Sequence, residues 1–243
     1  MCGRFALTSP PDALREIVDF VMPSSAGAPG SNWPPRYNIA PSQPVAIIAG
    51  GAQPQLALVQ WGLVPSWVRA DALKSHRQKP QINARAETIA EKPSFRDAFK
   101  RRRCLIPANG YYEWKRPEGQ PYLIHRPNCA PFFMAGIWEH WQGADGSEIE
   151  SCAIVTCAAN DAMGAIHHRM PVTIEAADAP SWLQTDERDR HSLMPLLQAA
   201  PEDAFAARPV GRRVNKVGED GVELWEEVTP NLAAAKPDQL DLF

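Results

Sequence analysis

Residues 104–114 read Cys-Leu-Ile-Pro-Ala-Asn-Gly-Tyr-Tyr-Glu-Trp, and this stretch predicts the character of the fold. Two runs of β-forming residues, 104–107 and 111–115, flank Asn109-Gly110. That dipeptide is typical of a tight β-hairpin turn. The sequence therefore predicts two adjacent antiparallel strands joined at this point.

Similar short runs recur along the rest of the chain, at residues 45–49, 56–62, 122–126, 132–138 and 149–158. Helical patterns are scattered between them, at residues 11–22, 94–102, 161–166 with Asn160 as N-cap, 178–184 and 190–199. This mixture predicts an α+β fold, a single domain with a curved, barrel-like, mainly antiparallel β core and peripheral helices. We expect that domain to span residues 1–230, with a loop at 23–36 and a flexible tail at 231–243.

The composition excludes several classes of protein. No run of 18 apolar residues occurs, and the first residues lack a signal-peptide pattern, so we expect neither a membrane span nor secretion. The five cysteines are odd in number and none form C-x-x-C, which favours a reducing cytoplasm. His125 and Cys129 could form a ligand pair, but nothing completes a metal site. We therefore expect no metal, no cofactor and a monomeric protein.

Charge is distributed unevenly along the chain. The net charge is −3, yet residues 1–116 hold 16 Lys and Arg against 8 Asp and Glu, while the remainder holds 9 against 20. A basic first half could form a phosphate-binding face, and exposed members of the eight Trp could stack on bases. Ordinary surface charge, unevenly spread, is the alternative.

Cys2 stands directly behind the initiator Met1. Once Met1 is removed, Cys2 carries an α-amine and a thiol on adjacent carbons, both with reference pKa values near 8. Such a 1,2-aminothiol traps aldehydes, because the amine forms an imine and the thiol closes on it to give a thiazolidine. An internal cysteine cannot do this. The alternative is an incidental, buried cysteine.

Three other segments concentrate polar residues beside apolar ones, at 82–88, 109–114 and 166–171. Strand alternation places Glu113 on the face of Tyr111, where desolvation would raise its pKa and suit it to acid–base catalysis. A structural ion pair with an arginine is the alternative. Asn83 and Arg85 share a face if their segment is extended. Of the neighbouring His167 and His168, we expect only one to enter a site.

Together these segments resemble the SOS response-associated peptidase (SRAP) family, over about residues 1–230. The resemblance rests on six motifs in order: MCGRF at 1–5, RYNIAPSQ at 36–43, WGLVPSW at 61–67, INARAET at 82–88, CLIPANGYYEW at 104–114 and IHHRMP at 166–171. It implies a DNA-repair protein that senses abasic sites in single-stranded DNA. It further implies a thiazolidine crosslink between Cys2 and C1′ of the ring-opened deoxyribose, and self-removal of Met1. Lyase activity and crosslink reversal are also implied.

The resemblance assigns roles to individual residues. Cys2 is the nucleophile, Asn83 positions its amine, and Glu113 moves protons during imine formation and Met1 release. His167, rather than His168, protonates the sugar ring oxygen and assists reversal. Three arginines match phosphate-binding positions, namely Arg4, Arg85 and Arg169. Four further residues match DNA contacts, namely Asn38, Pro41, Thr156 and Trp67, of which Trp67 is a stacking wedge.

The last five residues, Gln239-Leu240-Asp241-Leu242-Phe243, resemble the peptide with which bacterial repair proteins dock on the DNA sliding clamp. Leu240, Leu242 and Phe243 are apolar anchors, and Gln239 supplies an orienting hydrogen bond. The sequence therefore predicts the clamp as a second partner, and a nucleoid-associated place in the cytoplasm. An ordinary apolar C-terminus is the alternative.

Two other classes of function remain open. N-terminal-nucleophile amidohydrolases, such as glutamine amidotransferases, also expose a cysteine behind Met1, and release of ammonia from glutamine would identify one. A passive single-strand binding module would bind DNA equally well after Cys2→Ala. Six ordered motifs favour the covalent function over both.

Overall fold

The computed structural model describes residues 2–22, 33–184 and 186–230, without the side chains of residues 76, 77, 187, 188 and 190. This part of the chain folds into thirteen strands, two to eleven residues long, and several short helices. The strands are β1 (Phe5–Leu7), β2 (Arg36–Ile39), β3 (Pro44–Ala49), β4 (Gln55–Trp61), β5 (Asn83–Arg85), β6 (Arg103–Ala108), β7 (Gly110–Lys115), β8 (Gln120–His125), β9 (Phe132–Gln142), β10 (Glu148–Ala158), β11 (Arg169–Pro171), β12 (Thr173–Ile174) and β13 (Ala206–Pro209).

The helices lie at the periphery of these strands. The α-helices are α1 (Pro11–Arg15), α2 (Leu73–Gln78), α3 (Arg96–Arg101), α4 (Asp161–Gly164) and α5 (Ala179–Gln184). The 3₁₀ segments are Ala70–Ala72, Ala86–Thr88, Glu187–Leu196, Arg212–Asn215 and Val222–Trp225. No helix in the described ranges is long and apolar enough to cross a membrane.

Five strands close into a barrel in the order β10-β4-β3-β6-β9, with β9 pairing back to β10. Every pairing in this ring is antiparallel except that of β4 with β10. Strands β5, β11 and β12 extend its wall. Side chains such as Ile47, Leu105 and Ile154 are fully buried in the large core cluster. The predicted α+β fold with a barrel-like core is thereby confirmed.

A second sheet, in the order β13-β8-β7-β1-β2, lies against the barrel. Phe5 of β1 meets Trp61 of β4 edge-to-face, with ring centroids 5.1 Å apart. The opposite face of this sheet carries a small core of its own, which includes Tyr112 and Leu123. Because β1 pairs with β7 on one side and β2 on the other, the start of the chain is fixed between two cores.

The predicted hairpin at Asn109-Gly110 is wrong. Strand β6 belongs to the barrel and β7 to the second sheet, so the dipeptide carries the chain from one sheet to the other. The side chain of Asn109 stabilises this crossing. Its Oδ1 accepts hydrogen bonds from the backbone N–H groups of Thr8 and Ser9, both at 2.9 Å. At Gly110 a Cβ would lie 2.8 Å from a side-chain carbon of Leu123, so a larger residue would force Leu123 to shift.

The predicted strands at 45–49, 56–62, 122–126, 132–138 and 149–158 are confirmed as β3, β4, β8, β9 and β10, and those at 104–107 and 111–115 as β6 and β7. The short strands β1, β2, β5, β11, β12 and β13 were missed, because two to four residues are too few to show a period. So was α2.

The predicted helices at 94–102, 161–166 and 178–184 are confirmed as α3, α4 and α5. The side chain of Asn160 accepts the cap hydrogen bond from the Met163 N–H at 2.9 Å. The helix predicted at 11–22 ends at Arg15, and Val21 forms a parallel bridge with Gln55 instead. The helix predicted at 190–199 is wrong in type and extent, because a kinked 3₁₀ segment, Glu187–Leu196, covers only its first part. The predicted tail at 231–243 lies outside the described residues, as do residues 23–32 of the predicted loop.

Candidate active site and nucleic-acid interface

Cys2 is fully buried where the second sheet meets the barrel. Its place follows from the pairing of β1 with β7, in which Phe5 lies opposite Tyr111 and the Tyr112 N–H donates to the Arg4 carbonyl at 2.9 Å. This register brings the start of the chain alongside Glu113. Burial raises the pKa of the Cys2 thiol, and the nearby Glu113 carboxylate adds to the effect.

Glu113 points from β7 into the large core. Tyr111 belongs to the same core, whereas Tyr112 and Trp114 face the small core on the other side of the sheet. The predicted alternation along β7 is therefore confirmed. Burial raises the pKa of Glu113 to about 7, so this carboxyl exchanges a proton readily at neutral pH.

His167 reaches the same place from the segment between α4 and β11. Its Nδ1 lies 3.8 Å from Oε1 of Glu113, and it accepts a hydrogen bond from the Arg169 N–H at 3.1 Å. His168 is exposed, which agrees with the expectation that only one of the two enters a site. Burial lowers the pKa of His167 to about 4, so its ring is uncharged at neutral pH. It must receive a proton before it can act as the acid that the sequence suggested.

Asn83 approaches Cys2 from the barrel. Strand β5 runs parallel to β10, with Asn83 beside Ile154, and the Asn83 Nδ2 donates to the Cys2 carbonyl at 2.9 Å. Asn83 Oδ1 is buried and has no partner among the described residues. Strand alternation buries Ala84 and leaves Arg85 exposed. The extended conformation expected for this segment is thus present.

Arg169 begins β11 beside the same cluster and is almost fully buried. Its guanidinium forms a two-pronged ion pair with Glu87, with Nη1–Oε1 at 2.6 Å and Nη2–Oε2 at 3.0 Å. Nη2 also donates to the carbonyl of Thr156 at 2.6 Å and to its hydroxyl at 3.3 Å. Thr156 is itself fully buried, so in this structure it orients Arg169 rather than presenting itself to a ligand.

Arg4 and Asn38 lie further inside the protein than a DNA contact requires. Arg4 Nη1 donates to Asn38 Oδ1 at 2.9 Å and to the Val214 carbonyl at 2.7 Å. Asn38 is fully buried, and its Nδ2 donates to three carbonyls, those of Val214, Lys216 and Glu219. In this structure both residues hold the segment after β13 against β2.

Trp67 is exposed, with 56% of its surface accessible. Its indole N–H donates to the Pro93 carbonyl at 3.3 Å. The preceding Ser66 is anchored by the buried Glu139, whose Oε2 accepts its hydroxyl at 3.0 Å. Pro41 is half-buried, and Ser42 behind it has a left-handed backbone, with φ of 68°. Trp67 therefore presents an open aromatic surface to solvent.

Two residues of this region were missed at the level of sequence. Tyr111 is fully buried beside Cys2 and Glu113, and its hydroxyl has no hydrogen-bond partner among the described residues. The alternation that selected Glu113 should have selected Tyr111 as well. Glu87 lies within the INARAET motif, but nothing in the sequence indicates its ion pair with Arg169, 82 residues away.

The structure therefore brings Cys2, Asn83, Glu113 and His167 together from four separate segments. Within the described ranges, no group of three or more His, Cys, Asp or Glu side chains is arranged to hold a metal ion. The predicted pair of His125 and Cys129 does lie close, with Cys129 Sγ 3.6 Å from His125 Nδ1. The predicted clamp peptide, Gln239–Phe243, lies outside the described residues.

Comparison with known proteins gives consistent matches. The profile of the family described as SOS response associated peptidase (SRAP) matches residues 1–217. The protein named abasic site processing protein YoqW, from Bacillus subtilis, is 36% identical over 230 residues, 93% of this chain and 99% of YoqW. Abasic site processing protein YedK of Escherichia coli is 31% identical over 237 residues, 94% of this chain and 100% of YedK. A Bacteroides thetaiotaomicron crystal structure shares the fold, with a TM-score of 0.80 and 24% identity, covering 94% of this chain and 100% of that one.

Proposed function

The chain belongs to the SOS response-associated peptidase family, and from this premise we propose that it recognises and processes abasic sites in single-stranded DNA. More specifically, Cys2 forms a covalent thiazolidine with the ring-opened deoxyribose and so shields the lesion. One observation carries this proposal: the cysteine directly behind Met1, a carboxyl with a pKa of about 7, an imidazole and an amide converge on one buried point.

The chemistry begins at the protein's own terminus. Hydrolysis of the peptide bond between Met1 and Cys2 consumes one water, releases methionine and leaves an α-amine on Cys2. Glu113 is the group placed to move the protons of this step. Asn83 holds the Cys2 carbonyl at 2.9 Å and thereby fixes the residue while its terminus changes.

Crosslinking then joins Cys2 to C1′ of the sugar. The amine adds to the aldehyde, the resulting carbinolamine loses water to give a protonated imine, and Sγ adds to the carbon of this imine to close the five-membered ring. Protonated Glu113 supplies the proton that the departing hydroxyl needs, and its carboxylate form then takes the proton of the thiol. Because its pKa is about 7, both forms are populated at neutral pH.

His167 serves as a proton acceptor in this scheme, because its pKa of about 4 keeps it uncharged. Opening of the sugar needs a proton at the ring oxygen, which His167 delivers after receiving one. Reversal of the crosslink needs the opposite transfer, in which His167 takes the proton back as that oxygen closes on C1′. An imine at C1′ also acidifies C2′, so loss of the 3′ phosphate by β-elimination is a side reaction of the same intermediate.

DNA phosphates are bound by arginines around this point. Arg85 is exposed and Arg169 is paired with Glu87, whereas Arg4 must leave its internal hydrogen bonds to contribute. Trp67 supplies a stacking surface for a neighbouring base.

The C-terminal QLDLF peptide, residues 239–243, tethers the protein to the sliding clamp. Deletion of these residues therefore abolishes clamp binding and spares crosslinking. Undiminished clamp binding after that deletion would rule out the tether.

The test uses an oligonucleotide with one abasic site, resolved from its adducts on a denaturing gel without any reducing agent. Wild-type protein gives a shifted, heat-stable band, and Cys2→Ser gives none. Cys129→Ser is the matched control, because it alters another cysteine that lies far along the chain, and it crosslinks like wild type. A shifted band of equal yield from Cys2→Ser would exclude the proposed function.

A further inference from the structure

We propose that the Glu87 carboxylate competes with DNA for Arg169, so that it weakens the binding of undamaged single strands. The proposal rests on the proposed function, which assigns Arg169 to a DNA phosphate. It gives a role to a residue that takes no part in the covalent chemistry.

The geometry of the ion pair makes the competition direct. Both oxygens of Glu87 are engaged, Oε1 by Nη1 at 2.6 Å and Oε2 by Nη2 at 3.0 Å of Arg169. A phosphate binds arginine through the same two-pronged arrangement. Carboxylate and phosphate therefore need the same edge of the guanidinium, and only one of them can occupy it.

The two partners of Arg169 differ in how easily they can leave. Thr156 is fully buried, and its carbonyl accepts from Nη2 at 2.6 Å. Glu87 has a side chain that is 51% exposed, on the short 3₁₀ segment Ala86–Thr88. Glu87 can thus swing into water while Thr156 keeps the guanidinium oriented. The site behind Glu87 stays formed when the carboxylate leaves.

The positive charges around Glu87 support the proposal that its carboxylate occupies the place of a phosphate. The hydrogen bond from Arg169 lowers the pKa of Glu87, and the charges of Arg169 and Arg85 lower it further. The carboxylate therefore lies in the field of two cations that the proposed function assigns to phosphates. Undamaged DNA must displace it by non-covalent contacts alone. An abasic strand is afterwards held by a covalent bond, so competition penalises undamaged DNA more.

The test measures non-covalent binding of a lesion-free single strand by fluorescence anisotropy at several salt concentrations. Glu87→Gln removes the competing charge, and Glu91→Gln is the matched control, since it makes the same change at an exposed residue four positions along. At about 0.1 M salt, Glu87→Gln should bind roughly fivefold to tenfold more tightly than wild type, and Glu91→Gln less than about twofold. The slope of log K against log salt should steepen by up to about 0.7 for Glu87→Gln alone, because Arg169 is then free to neutralise one further phosphate.

A double variant ties the effect to Arg169. In the Arg169→Gln background, adding Glu87→Gln should give no gain in affinity. Glu87→Ala provides a second route to the same answer, and thermal unfolding shows that each variant is folded. Equal binding by Glu87→Gln and Glu91→Gln, or weaker binding by Glu87→Gln, overturns the proposal. Failure of wild type to crosslink abasic DNA would instead reject the proposed function.

Discussion

Burial moves the pKa values of two site residues in opposite directions. Glu113 rises to about 7, and His167 falls to about 4, because each is withdrawn from water and its charged form is disfavoured. At neutral pH both the protonated and the ionised form of the Glu113 carboxyl are populated, while the His167 imidazole is uncharged. Glu113 can therefore both give and take a proton near neutral pH.

The raised pKa of Glu113 makes a prediction about stability. Between pH 4.5 and 7 the folded protein binds more protons at Glu113 than the unfolded chain, so this residue lowers the free energy of unfolding as pH rises through that window. In Glu113→Gln, the free energy of unfolding should not fall in this way as pH rises. It should be more stable than wild type by up to about 3 kcal/mol at pH 8.5, and equal to it near pH 4.5. Urea unfolding at both pH values checks this, and a difference that does not change with pH would contradict it.

Tyr111 offers a second test at the residue scale. Its hydroxyl is buried without a partner among the described residues, which costs about 1–3 kcal/mol. Tyr111→Phe removes only that hydroxyl and should raise the free energy of unfolding by about 1 kcal/mol. Tyr112→Phe is the matched control, because the Tyr112 hydroxyl donates to the Tyr37 carbonyl at 2.7 Å, so its loss should destabilise. The same sign of change in both variants would contradict this account.

The close packing of barrel strand β9 against β6 requires a glycine at position 136. A Cβ at this position would lie 2.7 Å from Cys104 Sγ and 2.8 Å from a methyl of Ile106, both on β6. Gly136→Ala should therefore destabilise the protein by about 1–3 kcal/mol through overpacking. Gly164→Ala, at the end of α4 where the added carbon meets nothing within 4 Å, should not destabilise it. Thermal unfolding compares the two, and equal losses would show that packing at β9 is not the cause.

The segment after β13 makes a prediction of its own. Asn38 donates to three of its carbonyls, and Arg4 to one of them. Asn38→Ala should cost at least about 2 kcal/mol, because those carbonyls lose their donor inside the protein. It should also speed amide exchange around Val214, whereas the exposed Asn128→Ala should change neither quantity. Unchanged exchange in Asn38→Ala would show that other contacts hold the segment.

Sequence predicted the longer elements well and their connections poorly. Strand alternation placed Glu113 correctly, and Asn160 capped α4 as expected. The Asn109-Gly110 signal failed because tertiary contacts overrode it: Asn109 bonds the chain after β1 rather than closing a hairpin. Turn chemistry fixes the local backbone, but the direction that the chain takes at Asn109 depends on Thr8 and Ser9, about a hundred positions away.

The candidate site forms only when the two sheets of the molecule pack together. Two sheets meet there, and each contributes residues that do not neighbour the others in sequence: Cys2 and Glu113 from one, Asn83 and His167 from the other. The residues could be named from the family motifs, but their contacts could not. The ion pair of Glu87 with Arg169, and the burial of Asn38, follow from how β5, β10 and β11 pack and from the segment after β13.

We propose that Cys2 becomes an N-terminal aminothiol and traps an abasic aldehyde. Intact mass of the purified protein, before and after incubation with an abasic single strand, tests this proposal. We expect a protein lighter than its sequence by one methionine, and then an adduct of protein and DNA that survives heating without reduction and is absent in Cys2→Ala. A methionine-free protein that gains no mass, or an unchanged adduct in Cys2→Ala, would contradict it.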